Sequence, residues 1–363
     1  MLLKQSSSLR ILEIGEVSRM RHAFPTTEFF STFVRDSESS RAAGVELVSA
    51  KTLIPLARRL SKDPIDLVVV HASPHGPLEA LVRTIFRRST LHGHFPIFRT
   101  FAQQLFRRAV NAPVAVLDLH DSPTILECNR HLLEASTLYF KRELPSDRWR
   151  LFSRGGKVPT FRYRLARHGD ELSRIRPLSL GIPDSMLTFA NLAPSPGGKD
   201  IDVFFAGRLH GSSTLRERGA EELANLAKAG FRVDITDKPM PPAEYFACCA
   251  RAWLVWSPEG YGWDCFRAYE AALAASVPLA SRQTIERHKP LIDNEHCIYY
   301  DAEPGQLTQA VQRALNDRDR LLKMADAARD HVLRHHTPRA LAEYVAHTTL
   351  AAAAESKPDG DVS

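Results

Sequence analysis

Apolar runs of strand length alternate with helix-length amphipathic stretches along most of the chain. In the first half, "LRILEIG" (9–15), "GVELVSA" (44–50), "IDLVVVHA" (65–72), "PVAVLDLHD" (113–121) and "STLYFKREL" (136–144) read as strands, crowding apolar residues between turn formers. Amphipathic "PLEALVRTIFRRS" and "IFRTFAQQLFRRAV" lie between them. A Pro- and Gly-rich stretch over 181–200 reads as a connection. A second series follows: "IDVFFAGR" (201–208), "FRVDIT", "AWLVWS", "VPLAS" and "CIYY" as strands, with helices from "STLRERGAEELANLAKAG" (213–230), "PPAEYFACCAR" and the long segment after "PGQLT". Strands alternating with helices predict parallel sheets. The fold class is therefore α/β, as two Rossmann-like doubly wound domains facing a cleft. The expected boundaries are 1–185 for the first domain, 186–200 for the linker, 201–348 for the second domain and 349–363 for a frayed tail.

A length of 363 residues suits two such domains, and 44% hydrophobic with 25% charged residues suits cores of ordinary size. The longest apolar runs are strand-length, so neither a membrane span nor a secretory leader is expected. The five cysteines at 128, 248, 249, 265 and 297 contain no C-x-x-C pair, which points to free thiols in a reducing cytoplasm. Charge is uneven: residues 1–190 carry 28 Lys+Arg against 18 Asp+Glu, and the remainder 20 against 24. The basic half suits an anionic membrane surface or an acidic substrate, or is simply an Arg-rich solvated face. The Arg pairs beside Leu, Ile and Phe in the two amphipathic segments fit peripheral contact at the inner face of a membrane. They fit a core-facing helix with a basic outer face equally as a pattern. No aromatic interleaving accompanies the positive charge, so no nucleic-acid partner is expected.

In open α/β sheets ligands sit at the carboxyl ends of strands. "FFAGRLHGSSTLRERG" supplies a strand, a glycine loop and a helix begun by Ser212 or Ser213, where backbone N–H groups hold phosphate and Arg208 and Arg216 add charge. The same serines serve equally as plain helix caps. The spacing matches neither G-x-G-x-x-G nor the P-loop. The stretch "SPEGYGWDCFRAYEAALAASVPLA" (257–280) sharpens the picture. With Asp264 as cap, Arg267 and Glu270 fall on one helical face at i and i+3, while Ala271, Ala272, Ala274 and Ala275 allow close approach to a sheet. Arg267 and Glu270 then form an internal ion pair, or they face a ligand.

This stretch, with its R-x-x-E after a glycine loop and its "VP" strand, resembles the donor-nucleotide motif of GT-B glycosyltransferases with a group 1 type C-terminal domain. It is most similar to the exostosin-like and spore-maturation-type branches. The ending from "CIYYDAEPGQLTQAVQRALNDRDRL" onward resembles them too, so the likeness covers roughly residues 200–346. It implies that Glu270 binds the donor's ribose and that Arg267 and Arg208 bind its phosphates, with Gly260 and Gly262 shaping the loop. One departure stands out: the retaining group pairs two glutamates eight positions apart, whereas Glu259 and Glu270 are eleven apart, so the stereochemical outcome stays open.

On the acceptor side, "LDLHDSP" places His120 and Asp121 at a strand end, where an inverting transferase needs a general base. Asp121 serves equally as a cap for the helix that follows. His71 and His75, and then His22 and Glu28, are lesser candidates. Lys141 and Arg142 are placed to hold the donor diphosphate or an anionic acceptor, or serve equally as strand-end solvation. No metal ligands are assigned, so arginines and helix dipoles would carry the leaving-group charge. No cofactor is expected beyond the nucleotide-diphosphate sugar as substrate. The expected function is a metal-independent transfer from that donor to a glycan or lipid-linked glycan. The rivals are an epimerase or hydrolase acting on the donor alone, and a non-catalytic binding protein of the same fold.

Overall fold

The computed structural model describes residues 9–32, 45–76, 80, 96–107, 110–153, 169–190, 198–211 and 213–356. The chain divides into two compact units, Met1–Leu178 with Ala342–Ser363, and Ser179–Leu341.

The first unit is built on seven strands: β1 (Ile11–Gly15), β2 (Glu28–Ser31), β3 (Val45–Leu47), β4 (Leu67–His71), β5 (Val114–Asp118), β6 (Leu138–Lys141) and β7 (Ile175–Pro177). They pair in the order β3-β2-β1-β4-β5-β6-β7, all parallel. Every residue of β1, β4 and β5 is buried, as a parallel sheet covered on both faces requires. The order reverses between β1 and β4, so their carboxyl ends, Gly15 and His71, flank the switch point. β2 and β7 were not anticipated. "EFFS" and "IRP" are too short and too polar at one position to show a periodicity, and their place comes from pairing with β1 and β6.

Helix α1 (Ala50–Lys62) opens with a capping box between Ser49 and Thr52. In α2 (Pro96–Gln104) and the turn after it, Ala102 and Phe106 enter the core while Phe101 stays exposed. The other Arg-rich segment, with Arg83, Arg87 and Arg88, lies outside the described residues. Helix α3 (Arg130–Ala135) begins well after Asp121, with a 3-10 turn in front of it, so Asp121 does not cap it.

In the second unit β8 (Ile201–Ala206), β9 (Val233–Thr236), β10 (Ala252–Ser257), β11 (Val277–Ser281) and β12 (Ile298–Tyr300) pair in parallel as β9-β8-β10-β11-β12. Its switch point falls between β8 and β10. The helices are α4 (Thr214–Lys228), α5 (Pro242–Arg251), α6 (Phe266–Leu273), α7 (Gln306–Leu315) and α8 (Arg318–His335). The anticipated alanines do their work in α6: Ala271, Ala272 and Ala274 are fully buried in a core shared with Ala328 and Val332 of α8. The helix ends in a Schellman turn, with Ser276 N donating to Ala271 O (3.0 Å) and Ala275 N to Ala272 O (3.0 Å). Ala275 there holds a left-handed φ of 55°.

The last helix, α9 (Pro338–Glu355), corrects the expected tail: it continues through Glu355 and buries Thr349. From Ala342 onward it belongs to the first unit. Tyr344 meets the Phe140 ring edge-on at 5.4 Å, and its hydroxyl donates to Pro177 O at 3.0 Å. Among the described residues, no helix is long and apolar enough to cross a membrane.

Candidate active site

The switch point of the second sheet gathers Gly207 after β8, the loop from Ser257 after β10, and the starts of α4 and α6. Gly207 has φ 148°, and a β-carbon there would stand 2.6 Å from Arg267 Nη2. The space belongs to the arginine. Arg267 Nη2 donates to Ala206 O at 3.0 Å, and its guanidinium carbon lies 4.6 Å from the centroid of the Phe205 ring. Its Nε is buried with no hydrogen-bond partner among the described residues.

Arg216 comes in from α4. It is buried, with Nε donating to Glu259 O (2.7 Å) and Nη1 to Arg208 O (3.0 Å). Gly260 makes way for it, since a β-carbon at that position would lie 2.7 Å from Arg216 Nη2. Burial, and then the charge of Arg267, hold the pKa of Arg216 below its ordinary value. Two guanidiniums are thus anchored on backbone carbonyls within each other's field. Arg208 reaches Tyr261, donating to its hydroxyl at 3.3 Å. Ser213 is the N-cap of α4, accepting from Leu215 N (3.1 Å) and bonding Glu259 Oε1 (3.2 Å); Ser212 lies outside the described residues.

Asp264 does not cap α6. Its oxygens accept from Leu180 N (2.7 Å) and Tyr269 Oη (2.7 Å), while the N-cap is Cys265, whose side chain makes no capping bond. The first N–H groups of α6 are therefore left without the usual side-chain acceptor. Gly260 N donates to Gly262 O at 2.9 Å, which folds the loop back on itself. Arg267 and Glu270 do not pair among the described contacts. Glu270 Oε2 instead accepts from Tyr245 Oη at 2.8 Å, and Oε1 has no partner among the described residues. Burial raises the Glu270 carboxyl pKa, with Tyr245 and Arg267 opposing it. Tyr245, on α5, was missed: it reads as one more apolar residue of a helix, and nothing in the sequence ties it to Glu270.

In the first unit, His120 and Asp121 follow β5 as expected, but the partner of His120 is Asp118. Its Nδ1 lies 3.1 Å from Asp118 Oδ1, and its backbone N donates to the same oxygen at 3.2 Å. Asp118 is buried between this imidazole, the Tyr139 hydroxyl (2.7 Å) and the Lys141 ammonium (3.2 Å). Burial alone would raise its pKa, yet Lys141 and His120 hold it well below the carboxylate range. Asp121, half exposed, pairs with Arg142, which also contacts Glu143 at 3.3 Å. Lys141 is 0% exposed. Both cations pair with carboxylates of their own unit. His71 bonds a buried glutamate missed in the sequence, Glu13, at 3.0 Å. Glu28 pairs with Arg59.

D-x-D triplets occur at Asp200/Asp202, Asp317/Asp319 and Asp359/Asp361. Asp200 pairs with Arg251 (2.6 Å), Asp202 with Arg232 (2.7 Å) and Arg318 (3.3 Å), and Asp317 caps α8. The last triplet lies outside the described residues.

Residues 208–347 match a family described as "Glycosyl transferase-like". No curated protein matches the chain in sequence. Among solved structures, the alpha,alpha-trehalose 6-phosphate synthase from Burkholderia multivorans is similar with a TM-score of 0.55 at 12% identity, over 96% of this chain and 98% of its own. Anabaena HepE in complex with UDP gives 0.53 at 12% identity, over 94% and 99%. An alpha-glucosyltransferase in complex with UDP and a 13-mer DNA gives 0.52 at 10%, over 95% and 100%. The fold is that of the GT-B glycosyltransferases.

Proposed function

We propose that the chain is a glycosyltransferase that moves a sugar from a nucleoside-diphosphate donor, held by the second unit, to a hydroxyl acceptor. The observation that carries this is the convergence of Arg216 and Arg267, both anchored on carbonyls, with the open Oε1 of Glu270 at the β8/β10 switch point. Neighbouring guanidiniums held on carbonyl oxygens favour an arriving diphosphate. Arg208 and the first N–H groups of α6 add to that field. Glu270 Oε1 accepts from a ribose hydroxyl while Tyr245 fixes the other oxygen.

In the reaction the acceptor oxygen forms a bond to the anomeric carbon as the bond from that carbon to the phosphate oxygen breaks. The electron pair leaves on the diphosphate, where the arginines stabilise it without a metal. His120 takes the acceptor's proton on Nε2, with Asp118 holding the ring through Nδ1. The acceptor is a glycan or lipid-linked glycan, a reading supported by the basic balance of residues 1–190. The Arg267-x-x-Glu270 helix start after a glycine loop favours the exostosin-like and spore-maturation-type branch.

UDP is the first nucleotide to try, given the UDP-bound neighbours. In a thermal-shift panel of nucleoside diphosphates and their sugars, one nucleotide should stabilise the wild type by about 2.7 kcal/mol at a hundred times its Kd. Glu270→Ala should abolish the shift. No shift with any nucleotide would end the donor reading. A donor converted to an epimer or hydrolysed, with no acceptor product formed, would replace transfer by the rival chemistry.

A further inference from the structure

The first sheet has its own switch point, and the residues around it form a prepared polar site. β1 ends at Gly15 and β4 at His71. The imidazole lies over Gly15 so closely that a β-carbon there would stand 2.5 Å from its Nδ1. His71 Nε2 faces Glu13 Oε1 at 3.0 Å, and Glu13 is 0% exposed. The glutamate also accepts from Arg19 N (2.8 Å), Met20 N (3.3 Å) and the Ser18 hydroxyl. With four donors converging on it, Glu13 stays ionised: burial alone would raise its pKa, and His71 first among these partners brings it below the ordinary value. An ionised Glu13 accepts from Nε2, and Nδ1 is the ring nitrogen left over for a further bond. Nδ1 has no partner among the described residues. The strand end itself is pinned, with Gln103 Nε2 on His71 O (2.6 Å) and the buried Asn129 bonding both Ser73 N (2.8 Å) and Ser73 O (2.8 Å).

Beside this dyad stands Arg19. Its backbone belongs to the turn that caps Glu13, and its guanidinium has no ion-pair or hydrogen-bond partner among the described residues. Burial lowers its pKa below the ordinary value, with only Glu13 opposing that. The other cations at nearby strand ends are engaged: Arg21 with Thr27 O, Lys141 with Asp118, Arg142 with Asp121. A partly desolvated guanidinium that makes no ion pair of its own is costly unless an anion arrives.

We infer that the crevice at the ends of β1 and β4 binds a phosphorylated hydroxyl compound, Arg19 pairing with the phosphate and His71 Nδ1 accepting from a hydroxyl. The guanidinium fork matches phosphate oxygens two at a time. If the transfer reading holds, this crevice takes the phosphorylated end of the acceptor, whether that acceptor is soluble or carried on a lipid.

Titration calorimetry with glycerol 1-phosphate on the full chain tests it, together with co-sedimentation on vesicles of phosphatidylglycerol in phosphatidylcholine. Wild type should bind one of the two probes. Arg19→Gln should weaken that binding on the order of tenfold or more, His71→Gln should weaken it too, and Arg19→Lys should keep part of it. Binding of the soluble ester assigns a soluble ligand, and binding of vesicles alone assigns a lipid headgroup. Arg267→Gln should leave both unchanged while weakening nucleotide binding, so failure of the donor reading shows separately. Equal binding by wild type and Arg19→Gln, or no binding of either probe, would overturn the inference.

Discussion

Arg267 and Glu270 stand one turn apart on the same face of α6, yet each holds a different partner: Arg267 the carbonyl of Ala206, Glu270 the hydroxyl of Tyr245. Their roles should therefore separate. Arg267→Gln should weaken inorganic pyrophosphate and nucleoside diphosphate alike, by about 1.5–3 kcal/mol for a lost charged contact. Glu270→Gln should weaken the nucleoside diphosphate and leave pyrophosphate unchanged. Calorimetry decides, and a parallel loss in both variants would mean that the two residues act as one unit.

The pH dependence of donor binding follows from the burial of Glu270. Its carboxyl pKa is raised, so the anion that accepts from the ribose is lost at a higher pH than an ordinary glutamate, near about 4.3, would lose it. Affinity should fall on acidification from neutral pH, starting above the ordinary carboxylate range. Affinity already low and flat with pH is expected for Glu270→Gln.

Gly219 of α4 tests how the helix is seated. A β-carbon there would lie 2.3 Å from Trp256 Cζ2, and that indole is fully buried and tied to the Tyr300 hydroxyl at 2.8 Å. Gly219→Ala gains about 1 kcal/mol of helix propensity but overpacks a side chain that cannot turn away. A net loss of about 1–3 kcal/mol is expected in urea unfolding, and a more stable variant would contradict it.

Ala275 gives the opposite sign. The left-handed φ of 55° costs a β-carbon-bearing residue about 1–2 kcal/mol, against about 0.5–1 kcal/mol for the extra freedom of an unfolded glycine. Ala275→Gly should raise stability by roughly 0.5–1 kcal/mol, read as a later unfolding midpoint with an unchanged slope.

Histidines set the acid limit. Burial brings His336 to about 3 and His288 to about 4, and both His331 and His336 bond the single carbonyl of Lys289, at 2.9 and 2.8 Å. Because the folded pKa lies below the unfolded one of about 6.5, their contribution is whole above pH 6.5 and is lost as pH falls from there toward about 3. For His336 alone the loss between pH 7 and pH 5 should be about 1–2 kcal/mol. Denaturation profiles that coincide at the two values would refute this.

Much of this was legible in the sequence because it depends on neighbours in the chain. The Gly207–Arg208 turn, the glycine loop and the alanine face of α6 show up as short-range patterns, and the structure has them where those patterns fall. What escaped depends on distance. Glu13 sits inside a fully buried strand and meets His71 across 58 positions, and Tyr245 meets Glu270 across 25. Asp118 falls inside the expected strand 113–121, so the sequence sets His120 beside its neighbour Asp121 instead. The counter-ion of Lys141 likewise lies on the adjacent strand, 23 positions away in the chain and out of reach of short-range patterns. Asp264 looked like a cap by position, but Leu180 and Tyr269 claim both its oxygens.

The final helix also carries a consequence for how the molecule is made. Phe140 finds its Tyr344 contact, and Phe24 its contact with His347 at 6.5 Å, only after the ribosome has passed those late positions. The first unit to emerge is thus the last to be finished, and it must wait through synthesis of the whole second unit with an apolar strip uncovered. A chain stopped at residue 341 would release that unit open, and a synthetic peptide spanning 342–356 should close it in trans.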